Sequence, residues 1–208
     1  MSTTDQRSRL LRHALQLEYF TVGWNIIEGA VAVGAAVASG SVALLGFGID
    51  SFVETASAAV LIWRLRAEDA RMPQEEVERI DRRAHRLVGA SLFALAAYIA
   101  FDAAKALIRH ERPEVSMLGI VITAVSLGVM RWLAREKRRV ADALESRALE
   151  ADSFQTTACW WLSLATLIGI GLNAAFGWWW ADPAAALGMT YFLIEEGREA
   201  WRGEECGC

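Results

Sequence analysis

The chain has 208 residues, of which 54% are hydrophobic and nine are Trp, and its mean hydropathy is +0.26. A soluble domain of this length is less apolar, and the charged residues are confined to a few segments, so a membrane class is favoured over a soluble one. The formal net charge of -4 says little about orientation, because acidic residues contribute weakly to topology. No nucleic-acid partner is expected.

Six segments are long and apolar enough to span a bilayer, at about 20 residues each. They run near 15–38, 41–65, 86–108, 115–134, 153–176 and 184–201. The first begins too late and continues too long for a cleaved signal peptide, so we expect it to remain. The sequence therefore predicts an all-α membrane protein, a six-transmembrane-helix bundle over residues 15–201. Residues 1–14 would be a cytoplasmic N-terminus and 202–208 a short cytoplasmic tail.

The positions of Lys and Arg predict the orientation of this bundle. Of the 21 basic residues, 18 lie before the first span, after the second, after the fourth or in the tail. Only Lys105, Arg109 and Arg112 fall toward the other side. Because basic residues accumulate in cytoplasmic segments, both termini are expected in the cytoplasm. We expect a multi-pass integral protein of the cell (inner) membrane, surrounded by lipid.

The second span carries two carboxylates inside its apolar run. Residues 40–63 read GSVALLGFGIDSFVETASAAVLIW and contain Asp50 and Glu54. Each charged carboxylate in hydrocarbon costs roughly 2.5–3.5 kcal/mol. A spacing of four places both on one helical face, where like charges repel each other. The pattern indicates a bound cation between them, or a proton on one of them.

Polar residues of the first span are expected near this pair. Glu28 lies about as far from the turn at Ser39-Gly40 as Asp50 does, so the two carboxylates should sit at similar depth. Asn25, one helical turn before Glu28, would complete a polar patch. The small residues that flank Asp50 allow a neighbouring helix to approach closely, so the acidic face should look into the bundle.

The fifth span offers a second polar face. Its sequence LEADSFQTTACWWLSLATLIGIGLN places Asp152, Gln155 and Cys159 on one side of a helix. Their lone pairs suit a cation, since carboxylate oxygen prefers hard ions and thiolate prefers soft ones. The two faces can close around one divalent metal. A buried polar cluster that only holds the helices together is the alternative.

Other chemistries have little support in the sequence. No phosphate-binding loop, G-x-S-x-G or H-E-x-x-H motif is present, so we expect no enzyme and no resident cofactor. Asp102 and Lys105 in the third span are expected to neutralise each other. His13, His85 and His110 lie near span ends and are not assigned as ligands. Cys206 and Cys208 end the chain in a tail that is predicted to be frayed.

The second span resembles that of the cation diffusion facilitators, six-span dimeric membrane proteins that exchange a divalent metal for protons. The family pattern S-x-A-L-L-x-D-A-x-[HD]-x-x-x-D is followed by SVALLGFGIDSFVE, with Asp50 and Glu54 at the two ligand positions. The resemblance covers nearly all of residues 15–201. It implies a homodimer and an antiport mechanism.

The fifth span departs from the family pattern A-D-x-x-H-x-x-x-D. ADSFQTTAC places Gln155 where the family has His and Cys159 where it has Asp. Asp182-Pro183 matches the opening of the family's sixth span. The cytoplasmic metal-binding domain that follows in the family has no counterpart before Cys208, so a short, transmembrane-only member is expected.

The sequence and the resemblance together predict a divalent metal exporter, working by proton-coupled alternating access at a midplane site. Asp50 and Glu54 would bind the metal, with Gln155 and Cys159 opposite. A Cys159 ligand favours zinc or cadmium. If Cys159 only fills space, Asp152 or Glu28 would complete an all-oxygen site that prefers manganese or iron. The rival functions are an exporter of organic cations and a non-transporting partner subunit of a full-length metal transporter.

Overall fold

The computed structural model describes residues 3–69 and 74–202, which form six α-helices and no strand. The helices are α1 Thr3–Ser39, α2 Val42–Asp69, α3 Gln74–Arg109, α4 Met117–Leu144, α5 Arg147–Phe176 and α6 Ala181–Arg202. The all-α prediction is confirmed. The prediction of a frayed Cys206–Cys208 tail lies outside the described residues.

Four of the helices form a ring and the other two form a pair beside it. In the ring, α1 packs against α2 and α4, and α5 packs against α4 and α2. α3 lies along α6, and this pair packs against α2 and α5. The polar faces predicted on the first, second and fifth spans are thereby brought to a common interior.

The connections at one end of the bundle are tied to one another. The Glu114 amide, between α3 and α4, donates to the Ser39 carbonyl oxygen at the end of α1 (2.7 Å). The Asn173 side chain, near the end of α5, donates to the Pro113 carbonyl oxygen (2.9 Å). The α1–α2, α3–α4 and α5–α6 connections therefore share one end, and the beginning of α1 and the end of α6 reach the opposite end.

Asp182, in the first turn of α6, caps the N-terminus of α2. Its Oδ2 accepts hydrogen bonds from the backbone amides of Val42 (2.9 Å) and Ala43 (3.4 Å). Its Oδ1 accepts from the Ser41 hydroxyl. A helix N-terminus has unpaired amides and a positive dipole end, so a carboxylate there stabilises the helix. Asp182 thus fixes the position of α2 relative to α6.

Glycines bring α1 and α2 into close contact. Gly40 turns the chain between them with a φ of 72°, a conformation that glycine adopts without strain. A Cβ added to Gly48 would lie 2.9 Å from the Val33 backbone nitrogen, and one added to Gly29 would lie 2.9 Å from the Gly48 carbonyl oxygen. Only glycine permits this backbone approach. The contact holds the acidic face of α2 against α1.

The molecule is apolar outside and contains a cluster of polar side chains inside, beside its hydrophobic core. Large apolar side chains point outward along all of the helices, while the interior contains carboxylates, hydroxyls and an amide. The most exposed of the apolar side chains are Val37, Phe101, Ile108, Met117 and Phe176. The buried polar ones include Glu18, Thr21, Asn25, Glu28, Asp50, Glu54, Ser126, Lys137, Asp152 and Thr156. An apolar exterior of this kind suits lipid, and identifies a multi-pass membrane protein.

The helices are longer than the predicted spans. α1 begins 12 residues before the predicted start at residue 15, and α4 continues to Leu144, beyond the predicted end at 134. Helix propensity continues past the hydrocarbon, because the charged residues that end an apolar run are themselves good helix formers. Within the described residues, α1, α2, α4 and α5 are long and apolar enough to cross a membrane on those criteria alone.

Candidate metal site

α2 and α5 are antiparallel, and three contacts between their side chains fix their register. The Cys159 Sγ lies 3.5 Å from Asp50 Oδ2, and the Thr156 hydroxyl donates to Glu54 Oε1 (3.3 Å). Three residues further along α2, the Ser57 hydroxyl donates to Gln155 Oε1 (2.9 Å). Residue numbers rise along α2 as they fall along α5.

Asp50 and Glu54 lie in the interior with the thiol beside them. Their exposed fractions are 4% and 2%, and that of Cys159 is 3%. Glu54 Oε2 has no hydrogen-bond partner among the residues that the structure describes. The expectation that the acidic face looks into the bundle is confirmed, as is the position of Cys159 opposite it. The metal-binding role of these three residues stays a prediction.

Gln155 lies at the edge of this cluster. Its amide oxygen accepts the Ser57 hydroxyl, and its side chain is only half-buried. The resemblance places Gln155 at a ligand position, and its oxygen is already hydrogen-bonded to Ser57. The sequence could not indicate this hydrogen bond, because it depends on how α5 is rotated against α2.

Glu28 joins α1 to two other helices. Its Oε1 accepts from the Ser51 hydroxyl of α2 (2.9 Å), and its Oε2 accepts from the Ser126 hydroxyl of α4 (2.6 Å) and from the Trp24 indole. Because Ser51 follows Asp50 in the chain, the prediction that Glu28 and Asp50 lie at similar depth is confirmed. Both oxygens of Glu28 already accept hydrogen bonds, as expected for a group that holds three helices together.

Asp152 belongs to a buried ion-pair cluster. Its Oδ2 lies 2.5 Å from the Lys137 ammonium, which also lies 3.1 Å from Glu18 Oε2. The side chains of Lys137 and Glu18 are fully buried. The cluster connects α4, α5 and α1 one helical turn from Thr156, whose hydroxyl contacts Glu54. Asp152, the alternative ligand of the fifth span, is thus paired with a cation that the protein supplies.

Glu18 and Lys137 were not predicted as interior residues, although both have a periodic signal in the sequence. Lys137 was counted among the basic residues of a cytoplasmic connection. It falls on the buried face of α4, in register with Met130, Leu133, Ala134, Val140 and Ala141. On α1 the buried polar residues Glu18, Thr21, Asn25 and Glu28 follow one another at spacings of three and four. Such a stripe marks one face of a helix.

The buried charges of the ring do not balance. Among the described residues of the four ring helices, five carboxylic acids are buried, on Glu18, Glu28, Asp50, Glu54 and Asp152, together with one ammonium, on Lys137. Uncompensated charge in a low-dielectric interior is expensive, so protons or bound cations must make up the difference. In the described part of the chain, no three His, Cys, Asp or Glu side chains converge as a group able to hold a metal.

Comparisons with known proteins identify the family to which this chain belongs. Residues 21–202 match the model of the cation efflux transmembrane domain. An uncharacterized transporter of Synechocystis sp. is 27% identical over 185 residues, which are 88% of this chain and 60% of that protein. The cation-efflux pump FieF of Shewanella oneidensis is 28% identical over 164 residues, 76% of this chain and 54% of the pump.

The chain spans a little over half the length of these curated relatives. The family match nevertheless runs from the second half of α1 to the end of α6 and includes every buried carboxylate of the described residues except Glu18. The fold, the apolar exterior and the acidic interior agree with a membrane domain that moves cations. The chain belongs to the cation efflux family of transporters.

Proposed function

We propose that the protein exports a divalent metal cation in exchange for protons, by alternating access to a site near the middle of the bilayer. The observation that carries this proposal is the buried carboxylate pair of Asp50 and Glu54 with the Cys159 thiol against it. Metals that accept both oxygen and sulfur ligands suit such a set, so zinc and cadmium are the favoured substrates.

The proton coupling follows from the chemistry of the pair. Ionised carboxylates bind a metal and protonated ones release it, so metal ions and protons compete for the same oxygen atoms. Two bare anions one helical turn apart in an apolar interior repel each other. A site that has released its metal is therefore expected to take up protons before it reopens toward the cytoplasm. This competition is all that an antiport cycle requires of the site.

The proposal includes six spans with both termini in the cytoplasm of the cell, in the inner membrane, and assembly as a homodimer. The 22 residues of α6 make a helix about 33 Å long, which matches a hydrocarbon core of about 30 Å. α3 is longer still and lies along α6. Both helices are thus long enough to cross the membrane.

Transport by the purified chain in proteoliposomes tests the function. Vesicles with an imposed pH gradient should accumulate zinc or cadmium, and an ionophore that collapses the gradient should stop the accumulation. Manganese, iron(II) and cobalt belong in the same screen. Accumulation of a lipophilic dye without any metal would instead indicate an exporter of organic cations. Metal transport that appears only with a full-length relative would indicate a partner subunit.

A further inference from the structure

Asn25 is a buried amide on the polar face of α1. Its side chain is 0% exposed, and neither Oδ1 nor Nδ2 has a hydrogen-bond partner among the described residues. Burying an unpaired polar group costs about 1–3 kcal/mol, and native proteins rarely leave one unsatisfied without a functional reason. The two nearest turns of α1 carry Thr21 and Glu28, whose side chains do hydrogen-bond.

The Asn25 side chain lies beside the Glu54 carboxylate, whose Oε2 also has no hydrogen-bond partner among the described residues. The Asn25 amide is a close neighbour of the Glu54 carboxylate, but Glu54 Oε2 and the amide do not meet in hydrogen-bond geometry in the described structure. Cys159 neighbours Glu54 as well as Asp50. Three helices thus direct carboxylate, thiol and amide groups toward one place.

The other amide at this site is already engaged. Gln155 Oε1 accepts the Ser57 hydroxyl, whereas Asn25 Oδ1 accepts nothing from the described residues. Of the two further carboxylates, Glu28 is held by three donors and Asp152 by Lys137. Asn25 therefore offers a neutral oxygen that a cation can take without breaking an existing bond.

We propose that Asn25 of α1 is a ligand of the transported metal, its Oδ1 completing a shell formed by Asp50, Glu54 and Cys159. The inference rests on the proposed function and assigns one more residue to the same site. Three oxygens and one sulfur suit a tetrahedral divalent ion such as zinc. Metal binding then draws α1 toward α2 and α5, so loading of the site acts on three helices of the ring.

X-ray absorption at the zinc edge tests this assignment on the purified, zinc-loaded protein. An imidazole ligand gives a multiple-scattering signature that oxygen and sulfur ligands lack. Asn25→His should show that signature, because the ring nitrogen reaches the place of Oδ1. Asn173→His is the matched control, since Asn173 lies near the end of α5 and bonds to Pro113; it should show none. The signature in Gln155→His but not in Asn25→His would overturn the inference.

Zinc affinity gives a second readout that does not depend on introducing a histidine imidazole. Loss of an indirect metal partner already costs about 10–100-fold in affinity, so Asn25→Leu should weaken zinc binding at least about tenfold. If that variant does not fold, Asn25→Asp keeps the size and an oxygen, and should raise manganese affinity relative to zinc. Unchanged affinities in Asn25→Leu or Asn25→Asp would overturn the inference, whereas a wild-type protein that binds no metal would overturn the proposed function itself.

Discussion

Asp50 is the residue at which the proposed chemistry can be tested most simply. Asp50→Asn keeps the size of the side chain and removes its charge. Loss of an indirect metal partner costs up to about 100-fold in metal affinity or activity, and a direct ligand should contribute at least as much. We therefore expect metal transport to fall by about 100-fold or more while the protein still inserts. The measurement is initial metal uptake in proteoliposomes under a pH gradient.

Asp142 provides the matched control for this substitution. It lies near the end of α4, and its side chain is 61% exposed beside Arg138. Asp142→Asn removes the same charge far from the pair and should transport at the rate of the unmodified protein. If Asp50→Asn also transports at that rate, Asp50 is not a ligand.

Whether the Cys159 thiolate binds the metal determines whether the proposed site prefers soft or hard metal ions. A thiolate ligand binds cadmium strongly and manganese weakly, so Cys159→Ser should lower cadmium affinity about tenfold or more and leave manganese affinity nearly unchanged. Cys159→Asp should shift the preference toward manganese and iron(II). Isothermal titration of the purified variants measures both effects. Equal cadmium affinity in the original protein and Cys159→Ser would show that the sulfur only fills space, as buried Cys often does.

At the scale of the elements, the cluster of Lys137, Glu18 and Asp152 connects three helices. Lys137→Met leaves two carboxylates buried without their cation, and breaking a buried pair in this way costs about 3–5 kcal/mol. We therefore expect a large drop in the thermal unfolding midpoint of the detergent-solubilised protein. The change should be visible without any metal, because the ion pairs are internal to the fold.

A neighbouring surface cation is the control for Lys137. Arg138 pairs with Asp142 at 3.2 Å and with Glu150 at 2.7 Å, and its side chain is 42% exposed. Exposed pairs contribute about 0–1 kcal/mol, so Arg138→Met should change the midpoint little. If Lys137→Met unfolds at the same temperature as Arg138→Met, the buried ion pairs do not stabilise the ring.

The helices could be predicted from the sequence, but their rotations could not. Apolar runs of about 20 residues identify the segments, and the i, i+4 spacing places Asp50 and Glu54 on one face. A small rotation of α5 decides whether Gln155 faces the Asp50–Glu54 pair or faces Ser57. No pattern within that segment determines this rotation. Lys137 was missed for a related reason: a basic residue after an apolar run was assigned to a loop, whereas α4 continues and buries it.

At the scale of the whole molecule, the acidic interior and the apolar exterior both suit a protein that moves cations through a membrane. The lipid-facing surface requires no charge, and the ring collects an excess of carboxylates that only mobile cations or protons can balance. Asn25 is unpaired within the described residues, and this could not be predicted from the sequence, since it reflects what α2 and α5 leave around it. The match to the cation efflux family over residues 21–202 agrees with this arrangement.

The orientation of the whole molecule follows from its basic residues. Of 21 Lys and Arg, 18 belong by sequence to the segments before the first span, after the second, after the fourth or in the tail, so both termini should be cytoplasmic. In a variant with Cys206→Ser and Cys208→Ser, a single Thr3→Cys substitution should resist an impermeant thiol reagent added to intact cells. The same cysteine should react after the cells are permeabilised.

Glu114→Cys in the same background is the matched position at the opposite end. Its backbone amide bonds to the Ser39 carbonyl oxygen, which places it with the α1–α2 turn, and its side chain lies in an exposed connection. It should react in intact cells because the end with few basic residues faces outward. Cys159 is present in both variants but is 3% exposed, so it adds the same low background to each. Labelling of Thr3→Cys with protection of Glu114→Cys in intact cells would mean that the bundle is inserted the other way round, and that the proposed export would run inward.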